Sequence, residues 1–245
     1  MSFNENQPDT RYSSTLWGSA EEFDGVFTSC MTHVFFRMFA ALLVTTIAAF
    51  AVVNSYTLQD MIFSGGFAFY GLLIAEIVLV IGISAGINRL SVSMANILFF
   101  LYALLNGLTL SAIFWAYDLG VIYSAFGTSA LMFAIMAGYG LMTRRDLTSI
   151  GNLCFMGLIG VILASVVNLF MRNDMIDALI CYVGVFVFIG LTAYDSQRIR
   201  NMLAEASESN QEEAVRKITV IGALTLYLDF INLFLKILRI MGRRR

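Results

Sequence analysis

Seven apolar runs set the limits of what this chain can become. They are Val34–Val53, Phe67–Ile87, Ser93–Tyr117, Val121–Leu141, Ile150–Phe170, Met175–Tyr194 and Ile218–Leu235. A bilayer core takes about 20 apolar residues as a helix, so each run spans or nearly spans one. Lipid offers the backbone no hydrogen bonds, which makes these runs helices rather than isolated strands. Pro8 is the single proline, so no span carries a proline kink. Small residues recur along the runs: Gly82 and Gly86 as GxxxG, Gly138 and Gly140 around Tyr139, then Gly157, Gly160 and Ser165. Such residues let helix backbones approach closely.

Composition agrees with a lipid solvent. The chain is 59% hydrophobic and 13% charged, whereas a soluble domain averages about 25% charged. The net charge of −2 says little, because the charges are mostly confined to loops and ends, but the lack of a basic stripe excludes nucleic acid as a partner. Cys30, Cys154 and Cys181 show no metal or redox spacing and read as small hydrophobes. His33 is the single histidine and reads as a lone interfacial residue. Residues 1–33 read as a polar cytoplasmic arm without signal-peptide character. Residues 34–241 read as one compact seven-helix domain and 242–245 as a basic tail. The absence of a convincing internal repeat argues against a repeat-built transporter.

Lys and Arg in the loops set the orientation. Arg89, Arg144, Arg145, Arg198, Arg200, Arg216 and Lys217 follow the second, fourth and sixth runs. The other loops carry only Arg172. The N-terminus is therefore expected in the cytoplasm. Seven spans then place Lys236, Arg239 and Arg243–Arg245 outside, against that bias; a re-entrant last run is the alternative.

Polar residues inside the runs are the functional candidates, because they are expensive in lipid. Glu76 lies mid-way along the second run, Asn106 inside the third and Asn168 near the end of the fifth. Asp195 ends the sixth. Thr225, Asp229, Asn232 and Lys236 fall at i, i+4, i+7 and i+11, one stripe along a helix. That stripe must face the bundle or a water-filled cavity. Topology puts Arg89, Asp195 and the first half of the last run on one side. Asp229 lies about 16 Å beyond Ile218 at the helical rise, so it meets Asp195 only if the spans are shifted. Carboxylates about 5 Å apart repel by about 3 kcal/mol at an effective dielectric near 20. They would titrate as a unit. Plainer roles stay open: a cap for Asp195, a satisfied structural acid for Asp229, an interfacial anchor for Arg89.

The segments GLTAYDSQRIR and GALTLYLDFINLFLKILR together resemble the signature of the Bax inhibitor-1 family, also called the transmembrane BAX inhibitor motif family. The stretches INRLSVSMANILFFLYALLNGLTLSAIF and GYGLMTRRDLTSIGNLCFMGLIG resemble its middle helices. The resemblance runs from about Phe35 to Arg239. It implies an all-α integral membrane protein with six transmembrane helices surrounding a central one. It also implies a pH-sensitive calcium leak with a role in cell-death regulation. The family's aspartate pair falls on Asp195 and Asp229, and its latching arginine on Arg89. The stretch between the aspartates, with Glu205, Glu208, Glu212 and Glu213, is longer than in compact bacterial members. The basic tail also departs from the pattern.

The leading expectation is a proton-gated cation leak in a bacterial inner membrane. It takes no cofactor, with calcium as the permeant ion, and lipid, calcium and protons as its partners. Asp195 and Asp229 are the transient calcium ligands, with Glu76, Asn106, Asn168, Thr225 and Asn232 as candidate pore-lining groups. Calcium wants six to eight oxygens, so two carboxylates bind it weakly, as permeation needs. An intramembrane aspartyl protease would also pair two aspartates, one after tyrosine as in Tyr194–Asp195. It would need GxGD and PAL motifs, and the chain has neither, so no enzyme is expected. The alternative is a non-conducting regulator of another membrane protein, such as a membrane-anchored ATP-dependent protease. Its contact points would be the acidic 201–213 stretch and the basic tail.

Overall fold

The computed structural model describes residues 20–87, 89–208 and 211–243. The first nineteen residues of the expected arm, with Pro8 and Arg11, lie outside the described residues, as do Arg244 and Arg245. The helices are α1 (Ala20–Val53), α2 (Tyr56–Phe63), α3 (Phe67–Gly86), α4 (Val92–Leu110), α5 (Ile113–Ala116), α6 (Leu119–Met142), α7 (Thr148–Met171), α8 (Asp174–Glu208) and α9 (Glu212–Gly242). Seven segments among the described residues are long and apolar enough to cross a membrane, α4 and α5 forming one of them. This is an all-α, multi-pass membrane protein.

Side chains close the helix ends where lipid and water meet. Ser55 starts α2 by accepting the Leu58 N–H. The Gln59 amide donates to the Val52 and Val53 carbonyls at 3.1 and 2.8 Å, satisfying the end of α1. Ser91 caps α4 through the Met94 N–H at 3.2 Å. Arg172 adopts the left-handed conformation that ends α7 (φ 51°), and its N–H returns to the Asn168 carbonyl. Asn168 Oδ1 accepts the Asn173 N–H at 3.0 Å. Asn168 is therefore a helix-closing residue at an interface; its amide is occupied by local backbone rather than turned to a pore.

Two helices run well past their apolar runs. α8 does not end at Tyr194 but continues to Glu208, and α9 begins at Glu212 rather than Ile218. At 1.5 Å per residue, they measure about 52 and 46 Å. The sequence YDSQRIRNMLAEASE loses hydropathy but holds no Pro or Gly, so the helix has no reason to stop where the apolar run does. Likewise α1 starts at Ala20, inside the stretch expected as an arm.

α9 is the most enclosed helix: 67% of its most apolar stretch is buried, against 11% in α3 and 6% in α7. Val220, Ala223, Leu226, Tyr227 and Leu233 are fully buried along it. α1, α4, α6 and α8 pack on α9, α3 packs on α4, and α7 packs on α8. Four helices thus pack directly on α9, while α3 is joined chiefly to α4 and α7 chiefly to α8; this packing does not establish the expected ring of six around one helix. The wide apolar faces of α3 and α7 (Phe67, Ile74, Phe155, Leu163, Phe170) are exposed and suit lipid contact.

Glycines set the closest approaches, though not all those the sequence suggests. Gly82 has nothing within 4 Å of an added Cβ, and Gly86 meets only Leu90 at 3.6 Å, so this GxxxG pair joins no helices here. Gly107 instead lies against the Thr45 carbonyl, and an added Cβ there would sit 2.7 Å from that of Ala48, at the α1–α4 crossing. Gly140 takes the Ala193 carbonyl, joining α6 to α8. Gly157 and Gly190 meet Val187 and Cys154 along the α7–α8 seam. Gly107→Ala is therefore expected to destabilise the protein by about 2 kcal/mol through overpacking. Gly82→Ala is expected to be neutral or mildly stabilising. Thermal unfolding of both purified variants checks the contrast.

Candidate functional site

α8 and α9 pair antiparallel in one register. Gly222 lies against Ile199, Gly184 against Lys236, and Arg243 bonds Asp177 at 3.4 Å. This register places Asp195 and Asp229 within a turn of each other, with no need for the last run to enter lipid late. Because α8 continues thirteen residues beyond Asp195, the carboxyl lies about 20 Å in from the end of that helix. The depth mismatch expected from the apolar runs disappears.

The two carboxyls are neighbours close enough to act on each other directly. Ionised carboxylates offer only acceptors, so a hydrogen bond between them would take a proton. Asp229 is 5% exposed, and among the described residues no donor reaches its buried Oδ2. Both line a cavity of about 770 Å³. α7 supplies Asn152 and Ser165 to its wall, α8 supplies Arg198, and α9 supplies Thr225, Asn232 and Lys236. The polar stripe on α9 thus opens on one membrane-depth cavity, which extends about 16 Å along the helix from Thr225 to Lys236.

Each residue around Asp195 answers a different neighbour. Ala193 takes Gly140, the Tyr194 ring covers Gly151, and Ile199 takes Gly222. Gln197 Oε1 accepts the Leu147 N–H at 2.9 Å, and its Nε2 donates to the Arg145 carbonyl at 2.8 Å. Arg200 Nη1 donates to the Leu141 carbonyl at 2.6 Å and more weakly to that of Thr143. Gln197 and Arg200 therefore hold the α6–α7 connection against α8, one turn from the dyad. Within that connection Asp146 accepts the Thr148 N–H and hydroxyl at 2.9 and 2.6 Å. These bonds hold its carboxyl below the usual aspartate range.

The cation whose charge acts on Asp195 is Arg198, three residues on along α8 and also on the cavity wall. Arg89 is exposed in the turn after α3 and makes no ion pair with either aspartate. Its neighbour Ile87 packs near Met202 and Gln211–Ile221, around the α8–α9 turn. The continued helix carries the dyad deeper than Arg89 reaches, so this structure does not bring the three together.

Glu76 and Asn106 also stand apart from the dyad. Glu76 accepts the Thr109 hydroxyl at 2.7 Å and the Asn106 amide at 3.0 Å. Asn106 Oδ1 accepts the Tyr227 hydroxyl at 3.0 Å, and Tyr227 meets Thr45 Oγ1 at 2.7 Å. Tyr227 and Asp229 are two residues apart, about 200° around the helix, so this network lies on the opposite side of α9. It joins α1, α3, α4 and α9 as a satisfied buried cluster and lines no part of the dyad's cavity. Arg198, Asn152, Gln197 and Arg200 are the site residues that hydropathy did not reveal. Arg198 could have been found at i+3 from Asp195, had the helix been extended.

Among the described residues, no group of three or more His, Cys, Asp or Glu gathers as a metal centre. All three cysteines are free, and His33 Nδ1 lies 2.7 Å from the Ser29 carbonyl of its own helix.

A seven-span bundle whose last two helices carry a buried aspartate pair defines a membrane-protein class. The family model described as "Inhibitor of apoptosis-promoting Bax1" matches residues 28–245, and the chain belongs to that family. It is 45% identical over 215 residues to the inner membrane protein YbhL of Escherichia coli K12, covering 88% of this chain and 92% of that one. An uncharacterized protein of Borreliella burgdorferi is 41% identical over the same shares. One from Rickettsia prowazekii is 36% identical over 236 residues, 96% of this chain and 98% of its own.

Gln197→Leu is expected to free the α6–α7 connection. It removes two hydrogen bonds and strands the Leu147 N–H, a loss of about 2 kcal/mol. Faster amide exchange at Leu147, with the helices still formed, is the measurement that checks this.

Proposed function

We propose that this protein is a pH-sensitive cation leak of the bacterial inner membrane, with the Asp195–Asp229 pair as its proton-responsive gate and calcium as its permeant ion. The observation that carries the reading is the nearness of two carboxyls, that of Asp229 fully enclosed, on the wall of a large cavity among α7, α8 and α9. The family and the naming of YbhL as an inner membrane protein support the setting. In this reading the N-terminus is cytoplasmic.

The chemistry follows from charge. With one proton shared, the pair bears a single negative charge, and Arg198 answers it. Loss of that proton leaves two like charges in contact inside a poorly solvated wall, which drives them apart. A divalent cation relieves the repulsion, so the same pair serves as gate and as transient ligand. Two carboxylates binding through one oxygen each, with Thr225 and Asn232, offer four ligands where calcium wants six to eight, which keeps the ion's stay brief. Arg198 takes the latching part here, with Arg89 in the exposed turn after α3.

The reading of the chain as a regulator that only binds a partner draws less from the geometry. Its contact points are engaged: Glu212 with Arg216 at 3.4 Å, Glu213 with Lys217 at 2.9 Å, and Arg243 with Asp174 and Asp177.

Calcium uptake by proteoliposomes, measured between about pH 6 and pH 8, tests the leak. Asp229→Asn is expected to abolish most of the pH response. Asp195→Asn is expected to raise the basal leak several-fold, because the charge that holds Arg198 is gone. An unchanged pH response in both variants would remove the dyad from the mechanism.

A further inference from the structure

At the far end of the dyad's cavity stands a lone ammonium. Lys236 lines the cavity on α9, two helical turns or about 10 Å beyond Asp229. Its stem lies flush on the bare backbone of Gly184, where an added Cβ would sit 3.1 Å from Cδ and Cε. That seat fixes the chain's path between α8 and α9. Lys236 forms no hydrogen bond or ion pair among the described residues. Asp177 and Arg239 are the charged groups that act on it, and the neutral Cys181 thiol is the other titratable neighbour. Asp177 is already held by Arg239 at 2.9 Å and by Arg243 at 3.4 Å. Lys236, Arg239 and Arg243 thus face only Asp174 and Asp177, and the charge of Lys236 is left over.

An unpaired ammonium at membrane depth is costly to keep. A packing role would be filled as well by an uncharged side chain of the same shape, such as methionine. We propose that Lys236 is a charge barrier at the far end of the cavity, a specificity-determining residue that opposes each cation in proportion to its charge. The proposal rests on the leak reading and adds its selectivity. A cation leaving the dyad for the α7–α8 end of the bundle passes the ammonium. Repulsion scales with the product of the charges, so a divalent ion meets twice the barrier of a monovalent one. The fold-effects of removing it are therefore related as a square.

Two readouts on the full chain test this. In proteoliposomes, Lys236→Met is expected to raise potassium flux about threefold and calcium flux about tenfold. The second readout needs no flux. Asn232→Cys, one turn from Lys236, is placed in a chain whose Cys30, Cys154 and Cys181 are alanine. Its labelling is timed with a trimethylammonium and with a neutral methanethiosulfonate. The cationic-to-neutral rate ratio is expected to rise about threefold when Lys236 becomes Met. Lys236→Gln serves as a second variant should the Met protein misfold. Flux that is present, with both ratios unchanged, overturns the barrier and leaves the leak. A raised labelling ratio with no flux in any variant overturns the leak and leaves the barrier. No flux and an unchanged labelling ratio overturn both.

Discussion

Two carboxyls in contact inside a bilayer impose conditions on everything around them. They need a proton between them, a nearby cation, and a wall that water reaches but does not flood. The pairing of α8 with α9 supplies the first condition by holding both aspartates within a turn of each other. Arg198 supplies the second from the same helix as Asp195. The third comes from α7, which packs on α8 and leaves a cavity beside α9. Remove the register and the two aspartates no longer meet, whatever Arg198 and α7 still supply.

α9 therefore serves two chemistries on opposite faces. One face carries Thr225, Asp229, Asn232 and Lys236 into the cavity. The other inserts Tyr227 between Thr45 and Asn106, ending a chain of hydrogen bonds that satisfies Glu76. The buried acid of α3 is fully partnered, whereas Oδ2 of Asp229 has no hydrogen-bond partner among the described residues. Satisfaction distinguishes these two acids, although both are deeply buried. The Gln197 and Arg200 bonds then tie the same stretch of α8 to the α6–α7 connection. The helices around the dyad are thus referenced to one another within a turn or two of its carboxyls.

Much of this was legible from residue order. Seven spans followed from run length, and the polar stripe on α9 from its spacing. The Asp195–Asp229 pairing came from the family's paired signature, because spacing alone left a depth mismatch. Hydropathy hid the answer to that mismatch: α8 continues for fourteen residues after its apolar run, and only helix propensity marks the continuation. Glu76, Asn106 and Asn168 show why a polar residue in a span is not yet a pore residue. Their partners come from other helices or from a local turn, which residue order does not display. The Gly82–Gly86 pair failed for the complementary reason, since a small residue joins helices only where a neighbour is present.

The glycine seam between α7 and α8 has an energetic consequence peculiar to lipid. Acyl chains solvate an apolar helix about as well as another helix does, so no hydrophobic effect presses α7 inward. Its hold rests on the closeness of contact at Gly151, Gly157 and Gly190, where dispersion falls steeply with each fraction of an ångström. A methyl group added at any of the three would exchange that contact for lipid. The outer wall of the cavity is therefore kept in place by the absence of three side chains.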